Sequence, residues 1–243
     1  MPPKPRKPPP RRPGTRNRNL LIAAAGAVAV VAVLIVVSVV VSGGGDGGTT
    51  TTSGGSTETL FAGIPQKGAE LGSQTAPVTL IQFEDLQCPI CRAYQEDGFS
   101  GVVDDYVRPG KVKLRFAGLA FLGQDSEKAL RYALAAGDQG KLWPYVAALY
   151  ANQGDENSGW VTDDLLERLA NANGLDWGRL QKDAASKAVA SQMEATAAQA
   201  AQMGVPGTPT FFVQIGNGQP YVVQPNSFSI DAFRPILDDA LSQ

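Results

Sequence analysis

The chain has 243 residues, with 21 basic and 23 acidic side chains, two cysteines and no histidine. The missing histidine excludes His-based catalytic triads, His-ligated zinc and an axial His for haem, and two cysteines alone cannot complete a four-ligand zinc site. The net charge of −2 conceals a basic N-terminal stretch and an acidic body, because every acidic residue follows residue 42, so nucleic acid is not an expected partner.

Residues 1–19 combine prolines with Lys4, Arg6, Lys7, Arg11, Arg12, Arg16 and Arg18 and offer almost nothing to bury, which predicts a disordered tail suited to anionic lipid. From Leu20 to Val41 only Ser38 interrupts a run of Leu, Ile, Ala, Val and Gly. At roughly 1.5 Å per residue this run spans a hydrocarbon core of about 30 Å, so residues 20–42 are expected to form one transmembrane helix. The basic flank places the tail in the cytoplasm and the remainder outside it. A cleavable signal peptide is the rival reading. The length of the apolar run and the lack of a small-residue cleavage site after Val41 favour an uncleaved anchor, and both readings export the body. Residues 43–59 read as a flexible Gly/Ser/Thr linker with a reach of about 20–25 Å.

Residues 60–243 suffice for one domain with a sizeable core. Residues 78–83 are short, apolar and β-prone, which predicts a buried strand. The cysteine pair should open a helix reaching about Val107, broken by Pro109 and Gly110. Residues 111–116 alternate polar and apolar and predict a second strand with one buried face. Helices follow over 126–136, 141–152 and 162–173, and Asp176 can cap a long Ala-rich helix ending near Met203. Residues 210–215 and 221–223 flank Gly216, Asn217 and Gly218 as a hairpin, and 229–241 closes the chain as a helix. This order predicts an α/β domain with a helical insertion. Trp143, Trp160 and Trp177 fall within the helical block, where packing is the expected role.

Cys88, Pro89, Ile90 and Cys91 carry the chemistry. Cysteines three apart on one helix face are close enough for a disulfide. Cys88 at the helix N-terminus has unpaired N–H groups and the positive dipole end to favour its thiolate, and Pro89 at the first helical position costs no hydrogen bond. Cys91, one turn further in, should be more buried. The pair is thus a candidate redox centre in which Cys88 exchanges and Cys91 resolves the mixed disulfide. Haem attachment is excluded because Arg92 stands where a histidine is needed. A merely structural staple would close too short a loop to stabilise much.

The stretches Gly63 to Gly68, Ala76 to Leu80 and Phe83 to Cys91, followed far downstream by Val205 to Thr210, resemble the DsbA-like family of thioredoxin-fold thiol–disulfide oxidoreductases. The resemblance spans nearly all of residues 60–243. It implies a thioredoxin-like fold with a helical insertion, Cys88 as the exposed nucleophile, Cys91 as its buried partner and Pro209 as a cis-proline facing them. It also implies that Thr208 offers backbone to an extended substrate beside Pro89 and Ile90. No cofactor beyond the Cys88–Cys91 disulfide and no metal are expected. The implied partners are thiols of exported proteins and a membrane reoxidant of the DsbB or VKOR type.

Two departures from the family pattern matter. Ile90 stands where many oxidising relatives carry a histidine that stabilises the thiolate, which makes Cys88 a milder oxidant. Gln82 stands where the family often places a buried acid that relays protons, and glutamine cannot titrate. Glu84, on the same strand face as Gln82, or Asp85, on the other, would have to substitute, or water would; the alternative for the two acids is that both face solvent. Action as disulfide donor is the expected direction. A reductase or isomerase, and a non-catalytic membrane-tethered binding module, remain open.

Overall fold

The computed structural model describes residues 59–243. The expected basic tail, the span at Leu20 to Val41 and nearly all of the linker lie outside the described residues. Among the described residues no helix is long and apolar enough to cross a membrane.

Two short strands, β1 (Gln66–Lys67) and β2 (Glu70–Leu71), form a hairpin turned at Gly68, whose φ of 55° is the left-handed conformation glycine adopts freely. Strand β3 (Val78–Asp85) is buried at every position, as its apolar run requires of a central strand covered on both faces. The chain then enters helix α1 (Pro89–Asp97), a one-turn helix α2 (Phe99–Val102) and a π turn over Val103–Val107. Strand β4 (Val112–Leu119) lies parallel to β3, from Val78 opposite Val112 to Asp85 opposite Leu119. This βαβ crossover brings the C-terminal ends of β3 and β4 and the start of α1 to one end of the sheet.

Five helices are inserted between β4 and the next strand: α3 (Gln124–Gly137), α4 (Leu142–Ala151), α5 (Asp163–Ala172), α6 (Trp177–Ala184) and α7 (Lys187–Gln202). Strand β5 (Thr210–Ile215) returns antiparallel to β3, β6 (Tyr221–Val223) pairs with β5, and α8 (Ile230–Ser242) closes the fold. The sheet order is β1-β2-β4-β3-β5-β6.

Alternation along β3 divides its side chains between two cores. Leu80 joins the larger one with residues of α1, α3, α4 and α8. At its centre the Tyr94 ring lies 4.9 Å from Phe211 and 5.3 Å from Phe233. Ile81 and Phe83 join a smaller cluster with Phe212 and, from α7, Ala200.

Two expected helices are each divided. The helix expected to reach Val107 is interrupted at Gly98, where a Cβ would run into the Phe228 carbonyl oxygen. The segment expected to run from Asp176 to Met203 is two helices. Asp176 caps α6 through Arg179 N–H at 3.0 Å, and Ser186 caps α7 through Val189 N–H at 3.2 Å. Strand β4 also extends past residue 116, because Ala117 to Leu119 pair with Phe83 to Asp85. The three tryptophans pack, as expected: Trp143 stacks on Phe99, Trp177 on Tyr132, and Trp160 lies against the larger core.

Candidate active site

Cys88 is the residue on which β3 becomes α1. Its N–H donates to the Asp85 carbonyl at 2.9 Å, its own φ of −70° and ψ of 117° are extended, and Pro89 is the first helical residue. Its carbonyl accepts from Arg92 N–H at 3.1 Å, closing the first turn. The Thr208–Pro209 peptide is cis, and the Cys88 thiol donates to the Thr208 carbonyl at 3.3 Å. Ile90 projects outward, 51% exposed.

Both cysteines are free thiols here. Cys91 is 0% exposed, deeper than Cys88 as the helix position requires, yet Cys88 is itself only 6% exposed. The exposed nucleophile implied by the family resemblance is thus corrected: the Thr208 loop covers the sulfur. The two thiols nevertheless titrate in opposite senses. A hydrogen bond from Cys91 leads in bringing Cys88 down to about 6, aided by the Thr208 hydroxyl and the N–H groups of Cys91 and Ile90 against the opposing effect of burial. The contact to the Thr208 carbonyl works the other way, since only the thiol can donate to it. Cys91 is pushed far up, first by burial and then by its hydrogen bond to Cys88 and the negative charge of Glu84.

Beneath the pair, Gln82, Glu84 and Asp85 are all 0% exposed, which overturns the solvent-facing alternative for both acids. Gln82 donates its amide to Tyr94 Oη at 2.8 Å. Glu84 accepts from Tyr150 Oη at 2.8 Å and from Gln95 Nε2 at 3.3 Å. Burial pushes its carboxyl up to about 8 against these two donors, and the Cys88 thiolate adds to the rise. Glu84 senses the charge of Cys88, and Cys91 senses that of Glu84, so a titratable acid lies at the redox pair although Gln82 cannot supply one.

Asp85 has a different task. Its carboxylate accepts from Gln87 N–H at 2.8 Å, Phe121 N–H at 2.7 Å, Leu122 N–H at 3.1 Å and Ser126 Oγ at 2.6 Å. Gln87 extends the clamp to Ser126 Oγ at 3.0 Å and to Asn157 N–H at 2.7 Å. Gln153 donates to the carbonyls of Leu86 at 2.8 Å and Cys88 at 3.2 Å. The strand-to-helix turn is therefore tied to the insertion from two sides. Tyr150, Gln95, Gln153 and this clamp were missed by sequence reasoning. The available signal was thin: a tyrosine in an apolar helix needs a partner for its hydroxyl, but nothing local says which.

Arg92 pairs with Glu96 at 2.6 Å on the exposed side of α1, so its charge belongs to the solvated helix face. Asp163 and Asp164 begin α5, and Asp238 is exposed and accepts from Tyr106 Oη at 2.8 Å. Among the described residues no group of three or more His, Cys, Asp or Glu side chains could hold a metal.

Similarity to known proteins agrees with this geometry. The sequence profile of the family described as Thioredoxin matches residues 66–238. Disulfide bond formation protein D of Bacillus subtilis is 32% identical over 149 residues, covering 59% of this chain and 66% of that protein. Probable disulfide bond formation protein D of Bacillus cereus is 29% identical over 147 residues, covering 59% and 68%. The crystal structure of oxidised BdbD from Bacillus subtilis superposes with a TM-score of 0.63 at 25% identity, over 74% of this chain and 98% of that one. The chain belongs to the thioredoxin family, within which it is a DsbA-like thiol–disulfide oxidoreductase.

Proposed function

We propose that the chain is a membrane-anchored, extracytoplasmic disulfide donor that oxidises the thiols of exported proteins. The observation that carries the direction is the contrast within the pair. A Cys88 thiolate favoured down to about 6 stabilises the reduced form, and a stabilised reduced form makes the disulfide a better oxidant. The names of the Bacillus relatives, disulfide bond formation protein D, support the same direction.

A substrate thiolate attacks Cys88 Sγ of the Cys88–Cys91 disulfide. The S–S bond breaks, its electron pair goes to Cys91 Sγ, and Cys91 takes a proton relayed by Glu84. A second substrate thiolate attacks the first substrate's sulfur in the mixed disulfide. The substrate disulfide forms and Cys88 leaves as a thiolate, with no proton required. Thr208, on the cis peptide beside Cys88, offers backbone for an extended substrate segment, with Pro89 and Ile90 flanking it. Phe121, 55% exposed and held through its N–H by Asp85, adds apolar surface at this end of the sheet.

The anchor, in this reading, is Leu20 to Val41, with the basic tail inside and the domain held at the outer face by its linker. Reoxidation of the pair then falls to a membrane partner of the DsbB or VKOR type. The test is the reduction potential of the full chain, equilibrated against glutathione buffers and read by trapping free thiols. A value toward about −120 mV, as for DsbA, supports the donor; a value near about −270 mV, as for thioredoxin, turns the reading into a reductase.

A further inference from the structure

We propose that the cavity bounded by α1, α2 and α4 is the proton port of the redox centre, with the Gln95 side chain as its gate. This rests on the reading of Glu84 as proton relay. The cavity has a volume of about 450 Å³, and its lining includes Gln95, Glu96, Ser100, Ala147, Tyr150 and Ala151. Gln95 and Tyr150 are the two side chains bonded to the Glu84 carboxylate. Glu84 is itself 0% exposed, so a single layer of side chain separates it from the cavity.

The two walls differ. Tyr150 is buried and holds Glu84 Oε2 at 2.8 Å. Gln95 is half-buried and reaches the two carboxylate oxygens at 3.5 and 3.3 Å, long contacts that cost little to break. Rotation of Gln95 opens a way for water to the carboxylate while Tyr150 keeps it oriented.

The chemistry needs such a way in. When a substrate sulfur is bonded to Cys88, the approach from the Cys88 surface is covered. At that same moment Cys91 leaves as a buried thiolate and takes the proton of the Glu84 carboxyl. Glu84, now a carboxylate, recovers one proton from water in the cavity. The balance is one solvent proton consumed for one Cys91 thiol formed. Groups that sense the Glu84 charge are Cys91 and Tyr94 of α1 and Tyr150 of α4, and Glu84 in turn senses the charge of Cys88 at the cap of α1. Asp85 follows on the same strand, and Glu96 lies at the cavity.

The experiment is single-turnover reduction of the oxidised full chain by a small dithiol, in light and heavy water, from about pH 5 to pH 9. Ala147→Met with Ala151→Met fills the cavity without touching Glu84. The filled variant is expected to react about tenfold more slowly with a larger solvent isotope effect and an unchanged Cys88 thiolate titration, short of the roughly hundredfold or more of losing acid–base assistance altogether. Gln95→Ala, which opens the wall and also removes a donor from Glu84, is expected to react with a smaller solvent isotope effect than the parent. The port is overturned if the filled variant, folded by its melting temperature, matches the parent while Glu84→Gln is slow, or if Gln95→Ala shows as large an isotope effect as the filled variant. If Glu84→Gln matches the parent at every pH, the relay itself fails and the port with it.

Discussion

Cys88 and Cys91 lie three residues apart on one helix and ionise in opposite senses because one caps the helix and the other is sealed beneath it. The cap position gives Cys88 the N–H groups of Ile90 and Cys91, and no side chain competes for them. Alkylation of the reduced protein should therefore show a thiolate midpoint near pH 6 for Cys88, with Cys91 unreactive until unfolding; a midpoint at the ordinary thiol value would contradict the site's electrostatics. Ile90→His places a cation two residues from Cys88. It should lower the midpoint further and raise the reduction potential, both read in one titration series. Tyr150→Phe removes the shorter of the two donors to Glu84, so its carboxyl should titrate higher still, by about one pH unit or about 1.4 kcal/mol. The carboxyl stretching band followed against pH in the infrared checks this, and an unchanged midpoint would mean that Tyr150 does not stabilise the carboxylate.

At the scale of elements, the breaks carry as much as the helices. Gly98→Ala should destabilise the domain by about 2 kcal/mol or more, since the added methyl meets backbone at Phe228 and not a side chain that could move. Ser186→Ala removes only the cap of α7 and should cost about 1 kcal/mol. Urea unfolding distinguishes the two, and equal costs would indicate that the Gly98 contact relaxes. These positions also mark what the sequence made legible. The strands β3, β5 and β6, the α3 to α5 order and the Cys88–Cys91 helix start follow from periodicity, caps and the glycine turn. The division at Gly98 depends on a chain segment 130 positions away, which no local pattern records. Ser186 was a readable cap signal outweighed by the surrounding alanines. The β1–β2 hairpin has strands too short for any alternation. Within the site, β-strand alternation put Gln82 and Glu84 on one face, but only the tertiary arrangement brings Tyr150 and Gln95 onto Glu84.

For the whole molecule these groups link redox state, stability and pH. Cys88 has its folded value depressed from an ordinary 9.0 to about 6, so its contribution is fully present above about pH 9 and is lost as pH falls through about 6. It exists only in the reduced protein. Glu84 has its folded value raised from 4.5 to about 8, so its contribution is fully present below about pH 4.5 and is lost as pH rises through about 8. The oxidised protein, which has no thiol to offset this, should lose stability steadily from about pH 5 to pH 8. In the reduced protein the two trends oppose each other between about pH 6 and pH 8. The stability of the reduced form relative to the oxidised form should therefore grow from about pH 6 to pH 9, by at most about 4 kcal/mol. Guanidinium unfolding of both forms across that range measures the gap directly. A gap independent of pH would mean that the Cys88 thiolate gains nothing from the fold, and the disulfide would then have no reason to leave this protein for its substrate.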